Sequence, residues 1–352
     1  MMMKPRGANR RYGGIDLVKL AASFLVIAIH TGPLLTYDEY ADFLITGIVG
    51  RLAVPFFFMA SGYLLFRKLT GKGREDRSMI NRYALKVALL YLAAMMIYLP
   101  LNVYKGDFDQ GISWPALARD IVIDGTFYHL WYLPALLIGI YMVYGLYRLL
   151  PRWAFAVLVC LLYAIGVMGD SYYGLAVQEP HLKAMYDWLF AGFDYTRNGF
   201  FFAPVFLAMG LCMAKHSATP KVRYVYPVAL LISIGVLFLE GILLRDAGFP
   251  RHDSMYIALL PAVYALFGMA MQIKISSSAR AGAIAQWIYL LHPAVLVAIR
   301  GIAGAAGMKP ILVDHSLVHY IAVCVFTTIV SILAARLLDA LGRMPLPPVK
   351  RS

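Results

Sequence analysis

The first residues able to do chemistry lie where charge is costly, in the apolar stretch Ile15 to Leu35, IDLVKLAASFLVIAIHTGPLL. If this stretch is a helix, Asp16, Lys19, Ser23 and His30 share one face, at offsets of 0, 3, 7 and 14. Ionisable groups inside lipid face a protein interior or a water-filled cavity and mark a functional path. Asp16 and Lys19 could instead end the helix at the headgroups, with the lysine stem snorkelling. That reading does not reach His30, about 16 Å further along the axis at 1.5 Å per residue. An imidazole at such depth either packs through a hydrogen bond or moves a proton. The spacing alone leaves both open.

The elements that must position these groups follow from composition. Hydrophobic residues make up 61% of the chain and charged residues 14%, which excludes an ordinary soluble domain. About 20 apolar residues span the hydrocarbon. Candidate spans fall near 15–35, 43–66, 83–101, 130–147, 154–169, 200–214, 225–244, 255–273, 284–300 and 317–341, those near 154 and 200 being short. The expected fold is an all-α integral membrane bundle of about ten transmembrane helices. It divides into a basic cytoplasmic lead (1–14), a transmembrane domain (15–341) and a short cytoplasmic tail (342–352). The basic, then apolar N-terminus lacks a small-residue cleavage site and reads as a retained first span. Cys160, Cys212 and Cys324 all fall within spans and read as packing residues; neither a disulfide framework nor a metal site is suggested.

The net charge of +13 is distributed as a membrane protein's charge is. With the N-terminus inside, the cytoplasmic segments hold 20 Lys/Arg and 2 acids, the outer segments 7 Lys/Arg and 14 acids. This positive-inside asymmetry puts both termini in the cytoplasm and needs no nucleic acid to explain it.

Further polar residues recur along the chain. Arg51 lies inside the second span, four residues before Pro55, and either faces a polar interior or snorkels to the outer headgroups. The basic segment 67–82, RKLTGKGREDRSMINR, is a topology signal that could also receive donor phosphates, with Arg82 and Lys86 one helical turn apart. His129, Trp131 and Tyr132 stand at the outer membrane entrance, where the aromatic pair suits an interfacial belt. Arg197, beside Asn198, either pairs with a nearby acid or holds an anionic group of a substrate. Glu240 falls within a span, and His252, Asp253 and Tyr256 open the next. His292 precedes Pro293, which would leave the Tyr289 carbonyl without its usual donor if the helix continues. There is no phosphate-binding glycine loop, no H-E-x-x-H and no G-x-S-x-G, so any chemistry must rest on histidine and carboxylate within the membrane.

The K-x10-H arrangement of Lys19 and His30, followed by RLAVPFFFMASGYLL, resembles the first two spans of acyltransferase-3 family membrane proteins. DGTFYHLWYLPA, GDSYYG, DYTRNGFFFAP, RHDSMY and YLLHP extend the similarity over residues 12–338, in particular to the membrane domain of vancomycin-resistance, membrane-bound serine racemases. The resemblance implies a ten-helix O-acyltransferase of the bacterial inner (plasma) membrane. Its acyl group, expected to be acetyl, comes from a cytoplasmic acyl-CoA, with no bound cofactor. Its acceptor is a hydroxyl on a cell-surface glycan or related envelope molecule.

On that reading His30 is the general base and Lys19 orients the donor or stabilises an oxyanion. Arg82, Lys86 and Asp16 are expected at the donor. Glu240, Arg197, Asn198, His129, Asp253, His292 and Arg51 are expected to line the acceptor pocket. Two departures stand out. The family usually has Arg where Lys19 stands, and its R-x-x-R at the third span is matched at most by Arg82-x3-Lys86. No segment like the racemases' pyridoxal-phosphate domain follows, as expected either of a stand-alone member or of a portion of a longer chain. The rival expectation is a transporter-like domain for a small polar metabolite such as L-serine. A membrane anchor would leave His30 unexplained.

Overall fold

The computed structural model describes residues 13–109, 111–215, 224–275 and 279–341. The basic lead, apart from its last two residues, and the C-terminal tail lie outside the described residues. Every regular element among the described residues is helical. The principal helices are α1 (Gly13–Thr31), α2 (Glu39–Phe66), α3 (Gly73–Lys105), α4 (Tyr132–Leu149), α5 (Arg152–Met168), α6 (Ala203–Lys215), α7 (Val225–Asp246), α8 (Leu259–Gln272), α9 (Ala279–Ala305) and α10 (Ser316–Leu341). Seven of these are long and apolar enough to cross a membrane, while α5, α6 and α8 are shorter apolar helices of 17, 13 and 14 residues. The chain is a multi-pass helical membrane protein.

Three boundaries differ from the sequence expectation, each for a local reason. The basic 67–82 segment is a loop only as far as Lys72. The buried carboxylate of Asp76 accepts the backbone N–H groups of Thr70 and Gly71 and so closes the turn that starts α3. The span expected over 255–273 begins as a helix only at Leu259, because Ile257 and Ala258 give their N–H groups to Glu240 instead of to a helix. The 43–66 span is interrupted by a π-helical turn at Leu44–Ile48 and a 3₁₀ turn at Val49–Leu52, which carries Arg51. Pro55, four residues after Arg51, cannot supply the donor that an α-helix would aim at that carbonyl. Cys324 packs beside a core as expected, but Cys160 and Cys212 lie on exposed helix faces.

The chain divides into two compact units. One comprises residues 1–42 and 273–352, the other residues 43–272. In the first, α1, α9 and α10 bury Ile27, Ile288, Leu296 and Val323, with Leu20, Phe24 and Tyr320 packed round them. The outer face of α10 leaves Ile321, Val325, Phe326, Ile329, Leu333 and Leu337 exposed. A continuous bare apolar face of that kind suits contact with lipid.

In the second unit α2 and α6 approach almost backbone to backbone. A Cβ on Gly62 would lie 2.5 Å from the Leu207 carbonyl oxygen, and one on Gly210 would strike the Met59 backbone. Small residues permit such contact where no hydrophobic drive separates helix from lipid. Phe58, Phe202 and Phe206 fill the adjoining core, with Tyr163 stacked on Phe202 at 6.2 Å.

Candidate functional sites

In the first unit, the predicted polar face of α1 is turned towards α9, at three levels. Asp16 lies against Gly282, where a Cβ would come within 3.1 Å of its Oδ1. Ser23 donates to the carbonyl oxygens of Lys19, 2.9 Å away, and of Ala285, 3.1 Å away. His30 stacks on His292, ring centroids 5.3 Å apart and planes 21° from parallel. Residues 16, 23 and 30 are seven apart, close to two helical turns, so one stripe of α1 makes all three contacts. Lys19 is half-buried on the same helix.

His292 is fully buried, and the proline after it frees a carbonyl that its ring takes up. Pro293 has no N–H for the Tyr289 carbonyl, and Nδ1 of His292 takes that oxygen at 2.8 Å, with the Ile288 carbonyl at 3.1 Å. A carbonyl only accepts, so Nδ1 carries the proton and the lone pair of the neutral ring is on Nε2.

In the second unit the predicted outer residues divide. Arg51 and Asp253 form a 2.8 Å ion pair. Arg197 lies over the rings of Trp131 and Tyr195, its guanidinium carbon 4.9 and 5.0 Å from their centroids. His252 packs on Tyr195 at 4.7 Å. Burial, then the neighbouring guanidiniums of Arg197 and Arg251, push the His252 pKa down to about 4, so its ring is neutral at pH 7.

Asn198, Glu240 and His129 are instead occupied by the fold. Asn198 accepts the N–H groups of Phe200 and Phe201 and donates to the Tyr195 carbonyl, shaping the turn into α6. Glu240 accepts the Tyr172 hydroxyl and the N–H groups of Ile257 and Ala258. His129 is buried among Tyr98, Phe127 and Tyr128. The turn that carries it depends on Gly125, whose φ of +83° favours glycine and whose missing side chain would meet the Trp131 backbone.

Asp170 is the residue the sequence reading missed. Fully buried, it accepts the N–H groups of Ser254 and Met255 and the hydroxyls of Ser254 and Ser171, at 2.6 to 3.0 Å. Burial raises its pKa, against the pull of the Ser254 hydrogen bonds. Its signal was present in GDSYYG and RHDSMY, two strings whose Asp and Ser are partners across the fold.

A second unread group is Asp120, Asp124 and Asp194, which converge on Arg119, its nitrogens 3.9, 3.3 and 3.1 Å from their respective oxygens. Burial and the nearby Asp194 push Asp124 up to about 6. Arg119 serves as the counter-ion there.

The second unit also holds a cavity of about 700 Å³ lined by Lys68, Lys72, Arg74 and Arg82 and by two carboxylates, Glu75, which pairs with Lys72 at 3.1 Å, and Asp76. Lys86 is exposed one turn along α3 from Arg82. Asp16, expected with this group, belongs to the other unit.

A multi-pass helical protein with a histidine pair between two helices, a basic cavity and an arginine-rich loop cluster defines the class. The chain belongs to the acyltransferase-3 family, whose acyltransferase domain matches residues 12–336. It is 36% identical over 338 residues to an amino-acid racemase of Enterococcus faecalis, covering 95% of this chain and 46% of that one. It is 33% identical over 318 residues to a serine/alanine racemase of Enterococcus gallinarum, covering 89% and 44%. The resemblance to this family and to these racemases is thus borne out, and the chain spans less than half the length of the relatives it matches. No solved structure matches it.

Proposed function

We propose that this protein is a membrane O-acyltransferase that moves an acyl group, acetyl being the simplest, from a cytoplasmic acyl-CoA to a hydroxyl of an envelope molecule. The observation that carries the reading is the His30–His292 stack, a pair of imidazoles set between apolar helices. Ionisable groups held at such cost are functional by default. His30 removes the acceptor's proton as its oxygen attacks the thioester carbonyl carbon. The carbon–sulfur bond then breaks, and CoA leaves as the thiol, taking that proton. Lys19 supplies positive charge nearer the cytoplasm, for the donor or the developing oxyanion. Arg82, with Lys68, Lys72 and Arg74, suits the phosphates of the donor, and Arg51, Arg197 and Asp253 suit the acceptor.

The reading includes about ten spans with both termini cytoplasmic, in the bacterial inner membrane. Both Lys72 and His181 are exposed. A cysteine at 72 should react only from the inside and one at 181 only from the outside; labelling of both from one side would sink this topology. The decisive experiment is incubation of the purified protein in lipid with acetyl-CoA and acceptor, where free CoA should appear. A second reading draws on the relatives' names: a domain that carries L-serine across the membrane. Uptake of radiolabelled serine into vesicles, without CoA release, would favour it.

A further inference from the structure

Arg197 has a charge that its surroundings hold in place but do not pair. The Trp131 and Tyr195 rings lie beside its guanidinium and supply aromatic faces rather than a counter-charge. Its Nε is buried without a hydrogen-bond partner, and no carboxylate among the described residues forms an ion pair with it. Two carboxylates are near enough for their fields to reach it, Asp170 and Asp253. Asp170 is filled by Ser254, Met255 and Ser171, and Asp253 is paired to Arg51, whose own Nε is also buried without a partner. Burial and the charge of Arg51 weigh against the Arg197 cation. It is therefore held at a cost that a bound anion would offset.

We propose that Arg197 is the receptor for a carboxylate, so that this cluster takes a hydroxyl-bearing monoanion. As a statement about the acceptor it rests on the transferase reading; as a binding site it stands without it. The planar fork of a guanidinium held against two aromatic rings matches a planar carboxylate. The count of charge favours one negative charge over two. Arg51 is already paired to Asp253, Arg197 is left as one guanidinium without an ion-pair partner among the described residues, and His252 beside them is neutral at pH 7. A monoanion cancels the remaining charge, whereas a dianion overshoots it in a partly desolvated site.

The test uses the full chain in lipid and three probes of one size class: D-glucuronate, D-glucose and D-glucose 6-phosphate, measured by equilibrium binding. Glucuronate should bind at least about 10-fold more tightly than glucose, the scale of one charge-assisted hydrogen bond. Arg197→Gln should bring glucuronate down to the glucose level, and Arg197→Lys should recover part of the difference. Asp253→Asn, which frees Arg51, should tighten glucuronate binding, a gain that misfolding cannot imitate.

Equal binding of glucuronate and glucose, undiminished glucuronate binding in Arg197→Gln, or a preference for the 6-phosphate would each overturn the proposal. CoA release on the same samples separates the two readings. Selective glucuronate binding without CoA release would sink the transferase and keep the site. CoA release without selectivity would do the reverse.

Discussion

The two units use polar groups in opposite ways. Between α1 and α9 they are few and spaced by whole helical turns: Asp16 at Gly282, Ser23 at Ala285, His30 at His292. Around residues 170 and 250 they are dense and almost all committed. Asp170 alone takes four hydrogen bonds, Glu240 takes three, and Arg51 is paired. A sparse polar stripe contributes little to stability, so a substitution there should be read in rate. A dense network fixes loop geometry, so a substitution there should be read first in folding.

The sharpest way to break this contrast is His30→Ala, which should lower CoA release by ~10²–10⁴-fold, the usual cost of losing a positioned base. Thermal unfolding should be nearly unchanged, and His30→Asn should not restore turnover. Near-normal turnover with a lowered melting point would make the histidine stack structural, like the second unit's network.

Asp170→Ala should show the converse. It strands several donors in a buried place and should cost roughly 3–5 kcal/mol, as removal of one partner from a buried charged network does. A melting temperature within a degree of the parent protein's would show that the loops do not depend on it.

The smallest effect expected is in pH. The folded-state pKa of His252 is pushed down to about 4 from an ordinary 6.5, so the unfolded chain binds the proton more readily. Stability from this group is present above about pH 6.5 and is lost as pH falls towards 4. Melting profiles of the wild type and of His252→Gln should converge as the pH drops through that window. Parallel profiles would mean that His252 is as solvated in the folded state as in the unfolded one.

The sparse region was the more legible of the two in the sequence. Helical periodicity alone put Asp16, Ser23 and His30 on one face, and Pro293 announced an unsatisfied carbonyl four residues upstream. The dense region was legible only as a list of polar residues. Nothing in periodicity reveals that Asp170 meets Ser254, 84 positions away, or that Glu240 is consumed by the backbone at 257 and 258. For the same reason the span expected from 255 starts four residues late: hydropathy registers apolar side chains, whereas the helix start is decided by where the N–H groups go. Arg51 and Asp253 were both picked out as polar residues, but not as partners.

One consequence of the Pro293 arrangement concerns traffic of protons. A histidine relays a proton by accepting it on one nitrogen and giving it up from the other. Nδ1 of His292 is tied to the carbonyl oxygens of Tyr289 and Ile288, neither of which can take a proton onward. While that pairing holds, a proton that reaches Nε2 leaves by Nε2. Passage across the ring of His292 would first have to break its bonds to these two carbonyl oxygens.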